Sequence, residues 1–182
     1  IKKVSLELAG KSPNIVFAHA DLKRAAAAAV SAAFGNTGQT CTARTRLFVG
    51  QQSYDNFMQE LVDQTESYKV GDPFDTATLM GPMISMAQYD RVASYIDIGK
   101  GEGAELVFGG SRPSALDEGN FLQPTIFGQV TNDMRIAREE IFGPVLSVIP
   151  FENEEDVIRQ ANANDYGLAA SVWTQDIYKA LR

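Results

Sequence analysis

Apolar positions along the chain follow two rhythms. Short runs with nearly every second residue apolar, bounded by Gly, Pro or Asn, predict strands, and apolar residues recurring three or four positions apart predict helices. "VSLEL" (Val4–Leu8) and "NIVFA" (Asn14–Ala18) read as two strands separated by "AGKSP", where Gly10 and Pro13 mark a turn. Asp21 is a good N-cap for the alanine-rich "LKRAAAAAVSAAF", and Gly35 follows it as a C-terminal stop. "RLFVG" predicts a strand, and Ser53 opens a helix over "YDNFMQELVDQTESYK". The Gly-, Pro- and Asp-rich loop "VGDPFDTATLMGPMIS" leads to a helix from Met86 to about Gly99. "AELVFGG", "FLQPTIFGQV", "PVLSVIPF" and "LAASVWT" are strand candidates, and "NEEDVIRQANAN" between the last two is an amphipathic helix. Strands alternating with helices predict an α/β fold, a largely parallel twisted sheet flanked by helices. At 182 residues the chain is expected to be one domain.

Composition is that of a globular protein and adds little to this picture; charge adds more. A net charge of −7, with basic residues scattered along the chain, argues against nucleic acid and anionic membrane as partners. A single cysteine cannot form an intrachain disulfide, and no signal peptide or long apolar span is evident, so a cytoplasmic setting is expected. Ile1 opens without a methionine, and the helical pattern from Asp176 stops at Arg182 with no capping signal, so the chain is expected to be a fragment of a longer polypeptide.

The cysteine is the first candidate for chemistry. A lone cysteine is usually a small buried hydrophobe, but Cys41 stands in "FGNTGQTCTARTR", a polar, Gly-containing loop that is poor core material. Arg44 and Arg46 follow closely, and positive charge of this kind favours the nucleophilic thiolate. A nucleophilic thiol needs a base for itself or for the water that later releases its product. His19, the only histidine, precedes the cap of the alanine-rich helix and reads as a solvated surface residue. Glu7 in "LELAGKSP" is the other candidate: either a base, or an outward-facing residue of an alternating strand whose other face carries Val4, Leu6 and Leu8. Alternation does not choose between them.

"LELAGKSP" followed by "FGNTGQTCTARTR" resembles the paired signatures of the NAD(P)-dependent aldehyde dehydrogenase superfamily, with the glutamate-to-cysteine separation of that family. "EEIFGPVL" (Glu139–Leu146), "FLQPTIF", "MGPMIS" and "NDYGLAASVWT" also look like family segments, in the family's order. By position, the resemblance implies that Cys41 adds to an aldehyde carbonyl and that Glu7 activates the water that hydrolyses the resulting thioester. It implies that Glu140 and Phe142 meet the nicotinamide ribose of NAD or NADP, with Leu8, Ala9 and Gly10 beside the cofactor and Thr42 and Arg44 beside the substrate. Ala9 stands where the family usually has glycine.

The resemblance further implies a catalytic domain without the family's Rossmann-like cofactor domain, of which no G-x-G-x-x-G run appears here, and without its oligomerisation arm. The expected partners are a small-molecule aldehyde, the cofactor domain of its own longer chain, and further copies in a homodimer or homotetramer. The isolated 182-residue chain is expected to be inactive. Two other readings remain: acyl transfer to coenzyme A, against which the presence of Glu7 argues, and a non-catalytic protein on the same fold.

Overall fold

The computed structural model describes residues 2–182. Six strands form one sheet: β1 (Pro13–Val16), β2 (Arg46–Gly50), β3 (Glu105–Phe108), β4 (Thr125–Gly128), β5 (Val145–Phe151) and β6 (Ser171–Trp173). Their order is β3-β4-β5-β2-β1-β6, and every neighbouring pair is parallel except β3 with β4. The helices are α1 (Leu22–Phe34), α2 (Tyr54–Glu66), α3 (Met86–Gly101), α4 (Arg135–Arg138), α5 (Glu154–Asn162) and α6 (Ile177–Ala180).

The central strands are apolar on both faces because helices cover both, which is why β2 and β5 read as continuous apolar runs rather than as alternation. One face packs Leu47, Val49, Leu146 and Val148 against Ala25, Ala29 and Phe34 of α1 and Phe57 and Leu61 of α2. Small alanine side chains bring α1 close to the sheet, so the low-complexity run is a packing surface. The other face packs Phe48 and Ile149 against Val92 and Ile96 of α3, Ile136 of α4 and Val157 of α5. No helix among the described residues is long and apolar enough to cross a membrane.

Most predicted elements form, with shorter bounds. The expected strand over Val4–Leu8 does not: residues 2–10 carry no regular secondary structure, and Val4, Leu6 and Leu8 are 77%, 71% and 73% exposed. A strand exists only by ladder hydrogen bonds, and β1, into which this segment runs, is already paired on both edges by β2 and β6. The alternating pattern therefore has no partner among the described residues. The helix opened at Ser53 stops at Glu66, before the expected end, and the single-turn α4 has too few residues to show a period.

Candidate active site

Three chain segments enter adjacent parallel strands at their amino ends, and each brings one element of the predicted site. The segment before β1 carries Glu7, the one before β2 carries Cys41, and the one before β5 carries Glu140 and Phe142. Pro13, Arg46 and Ser147 lie side by side in the ladder, so segments far apart in sequence converge at one end of the central strands. Glu7, Ala9, Cys41, Glu140 and Phe142 line a single depression of about 700 Å³. Asn36, Gln39 and Thr40 of the cysteine loop complete its wall. Cys41 is partly buried, and its backbone N–H donates to no other backbone group among the described residues.

The backbone here is strained. Of five non-glycine residues with positive φ among those described, four belong to these segments: Ala9 (64°), Asn36 (52°), Thr37 (58°) and Phe142 (60°). Left-handed backbone costs an L-residue about 1–2 kcal/mol and persists where the surroundings enforce it, commonly at functional sites. The enforcement is close contact between loops. A β-carbon at Gly38 would overlap the backbone of Gly143, and one at Gly10 would lie 2.6 Å from the carbonyl oxygen of Cys41. Both glycines let one site segment lie directly on another.

Hydrogen bonds fix the loop that carries Glu140 and Phe142. The Gly10 N–H donates to Glu140 Oε1 (2.9 Å), tying this loop to the segment of Glu7. From α3, Gln88 Nε2 donates to the carbonyl of Phe142 (2.8 Å) and Arg91 Nη2 to that of Glu140 (2.9 Å). Glu139 accepts from Arg135 Nε (2.7 Å) and from the Tyr95 hydroxyl (2.7 Å). The Arg135 bonds, then that of Tyr95, hold the Glu139 carboxyl down at about 2, so it stays an anion that anchors the base of the loop. On the other side of the depression the Gln39 Oε1 accepts from the Ile84 N–H (3.1 Å), and the Thr37 hydroxyl donates to the Gly81 carbonyl (3.2 Å).

Other predicted positions lie elsewhere. Leu8 is exposed and Gly10 buried, and neither lines the depression, although Gly10 holds Glu140. Thr42 is exposed and Arg44 partly buried; neither is among the lining residues. Arg46, expected to favour the thiolate, is fully buried with its guanidinium committed to the carbonyls of Gln160 (3.1 Å) and Ala161 (2.7 Å) and to Asn132 Oδ1 (3.2 Å). His19 is exposed after β1, at the opposite end of the sheet, with Nε2 2.8 Å from the Thr174 hydroxyl oxygen. Sequence pattern does not single out Asn36, Gln39, Thr40, Gln88 or Arg91 as site residues. The spacing of Gln88, Arg91 and Tyr95 shows only that they share a face of α3, not what that face meets.

Glu140 and Phe142 are the two residues of the depression that could hold a cofactor. Glu140 is partly buried and keeps Oε2 free of protein partners among the described residues, an acceptor open to a ligand hydroxyl, while Phe142 is 38% exposed at the same depression. No group of three or more His, Cys, Asp or Glu side chains among the described residues is arranged to hold a metal ion.

The model of the Aldehyde dehydrogenase family matches residues 1–182. The chain belongs to that family. It is 50% identical over 183 residues to betaine aldehyde dehydrogenase of Sinorhizobium fredii (strain NBRC 101917 / NGR234), covering 100% of this chain and 38% of that protein. The Brucella ovis betaine aldehyde dehydrogenase is 51% identical over 179 residues, 97% of this chain and 37% of that protein. Among solved structures, the aldehyde dehydrogenase KauB from Pseudomonas aeruginosa superposes with a TM-score of 0.96 at 50% identity, covering 99% of this chain and 37% of that one. An indole-3-acetaldehyde dehydrogenase complexed with NAD+ gives 0.93 at 47% identity, covering 96% of this chain and 36% of that one. This family member thus spans well under half the length of the relatives it matches.

Proposed function

We propose that these residues form the catalytic domain of an NAD(P)-dependent enzyme that oxidises an aldehyde to a carboxylic acid. The observation that carries this reading is the single depression shared by Cys41, Glu7, Glu140 and Phe142. The Cys41 thiolate attacks the aldehyde carbon, and the carbonyl oxygen becomes an oxyanion that the Cys41 N–H is free to stabilise. Glu140, beside Phe142, would hold the ribose of NAD(P)+, and that cofactor when bound would supply the hydride acceptor that oxidation of this adduct to a thioester requires. Glu7, exposed to solvent at the same depression, takes a proton from water; the hydroxide oxygen bonds to the acyl carbon, the carbon–sulfur bond breaks, and Cys41 is regenerated with release of the acid.

The same reading puts the adenosine-binding parts, the rest of the substrate tunnel and the oligomerisation arm outside these 182 residues, in a cytoplasmic homo-oligomer. The exposed Val4, Leu6 and Leu8 support further protein packing beside Glu7. The names of the relatives make betaine aldehyde and indole-3-acetaldehyde the first substrates to try.

In the full-length protein, Cys41→Ser is expected to lower aldehyde oxidation by on the order of 10⁴-fold or more, the scale of losing a catalytic nucleophile. Glu7→Gln should lower turnover about 10²–10⁴-fold, with an acyl group accumulating on Cys41 as added mass in the intact protein. A Glu7→Gln enzyme that turns over at the unmutated rate, or an unmutated full-length enzyme whose product is an acyl-coenzyme A, would sink the hydrolytic reading.

A further inference from the structure

Behind the loop of Glu140 and Phe142, α3 turns one face toward the site, and Tyr95 on that face is joined to both sides of Glu140. Tyr95 is 7% exposed, and its hydroxyl donates to Glu139 Oε2 (2.7 Å). The guanidinium carbon of Arg91 lies 5.2 Å from the centre of its ring and that of Arg135 5.8 Å, both within reach of a cation–π contact. Arg91 in turn donates to the Glu140 carbonyl (2.9 Å), and Arg135 holds Glu139 through Nε (2.7 Å) and Nη2 (3.0 Å). The start of α4 is tied to the same helix, its Arg135 N–H donating to Glu102 Oε2 (2.9 Å).

The Arg135 and Glu139 side chains are 51% and 39% exposed, and an ion pair so open to water contributes little by itself. The buried tyrosine is what gives the pair a fixed place. Burial, then the bond to Glu139, pushes the Tyr95 hydroxyl up from its ordinary value, so it stays a donor while the Glu139 carboxylate stays its acceptor. None of Tyr95, Arg91, Arg135 and Glu139 lines the depression. They bear on Glu140 from behind: Arg91 holds its carbonyl, Tyr95 and Arg135 hold the carboxylate of the residue before it, and the Gly10 N–H holds its Oε1. Its Oε2 is left as the one carboxylate oxygen without a protein partner among the described residues, and an oxygen that is to meet a ligand has to be held to within about 0.5 Å.

We propose that Tyr95 is a positioning residue for Glu140. By holding Glu139 through its hydroxyl and Arg91 through its ring, it sets where Glu140 Oε2 meets the hydroxyls of the nicotinamide ribose. The inference rests on the reading that Glu140 holds that ribose, and adds to it a residue that lies outside the depression.

The test is calorimetric titration of the full-length protein with NAD+ and with adenosine diphosphate, the part of NAD+ that lacks the nicotinamide ribose. NADP+ and its adenosine half take their place if NADP+ binds more tightly. Tyr95→Phe removes the hydroxyl and keeps the ring. It is expected to weaken NAD+ binding on the order of 10-fold, the middle of the range for groups coupled through one hydrogen-bond network, and adenosine diphosphate binding by about twofold or less. If Tyr95→Phe does not fold, Glu139→Gln, which keeps the side-chain length and loses the charge, is read in the same way. Equal weakening of the two ligands would mean that Tyr95 only supports the fold, and unchanged NAD+ binding that it does not act on Glu140; either result overturns the proposal. Glu140→Gln separates this from the reading beneath it. If Glu140→Gln weakens NAD+ selectively while Tyr95→Phe does not, the positioning role alone falls. If Glu140→Gln leaves NAD+ binding unchanged, the ribose assignment falls and the positioning role with it.

Discussion

At the carboxyl ends of β1, β2 and β5 the chain turns within a few residues into α1, α2 and α5; at the amino ends of the same strands it arrives through loops bent into left-handed backbone. The carboxyl end is locally satisfied. Asp21 accepts from the Arg24 N–H and Asn153 from the Asp156 N–H, each capping its helix. Phe17 packs edge-on to Phe151 at 5.4 Å, and Lys179 lies over the Phe17 ring at 4.9 Å. At the amino end the loops are held by one another, Gly38 on Gly143 and Gly10 on Cys41, and by side chains reaching from α3. Open α/β sheets commonly bind ligands outside the carboxyl ends of their strands. Here the candidate chemistry sits at the opposite end, where three adjacent strands gather segments with strain and unspent polar groups. Sheet polarity alone would have directed attention to His19 and Lys179.

The comparison is broken most severely at Gly38. Gly38→Ala adds a β-carbon into the Gly143 backbone at a residue whose φ is +68°, and should cost about 2–4 kcal/mol in the full-length protein. Gly35→Ala, three residues earlier, meets nothing within 4 Å at φ −52° and should be neutral or stabilise by up to about 1 kcal/mol. Urea unfolding of both variants checks this; equal effects would mean that the two loops are not pressed together. At the other end, Asn153→Ala should cost about 1 kcal/mol through loss of the α5 cap. It should leave the alkylation rate of Cys41 by iodoacetamide unchanged, whereas Gly38→Ala should alter it. A change in Cys41 reactivity on losing the Asn153 cap would show that the two ends are coupled.

The same contrast governs what the sequence makes legible. The carboxyl-end elements obey local rules, so Asp21, the alanine-rich run and the 3.6-residue period of α5 could be read directly. β2 and β5 were legible as apolar runs, though not which strands they would join. The motif around Cys41 and its resemblance to a family named Glu7, Glu140 and Phe142, and the fold brings all four to one depression. What stayed hidden depends on tertiary contact. Val4–Leu8 alternates like a strand but pairs with no strand among the described residues, Gln88 and Arg91 look like solvent-facing helix residues until the Phe142 loop lies against them, and Arg46 leaves the thiol for the end of α5. The left-handed residues at Asn36, Thr37 and Phe142 break local preference where the chain meets other loops, a conflict a sequence pattern does not display.

The smallest expected effect tests that conflict at a single methyl group. Ala9, two residues beyond Glu7, holds φ at +64° on a segment with no ladder hydrogen bonds, so its conformation is imposed by its neighbour Gly10, which is bonded to Glu140 and packed on Cys41. Ala9→Gly removes a left-handed penalty of about 1–2 kcal/mol and loosens the unfolded chain at a cost of about 0.4–1 kcal/mol, for a net gain of up to about 1.6 kcal/mol. The urea midpoint of the full-length protein should therefore rise slightly or hold. On the reaction proposed above, the added freedom beside Glu7 should appear in turnover rather than in stability, as slower release of the acyl group from Cys41 with the rate of its formation unchanged. Clear destabilisation by Ala9→Gly would mean that the methyl group contributes packing that outweighs its strain, and that Glu7 is positioned by contact at Ala9 instead of by the Gly10–Glu140 bond.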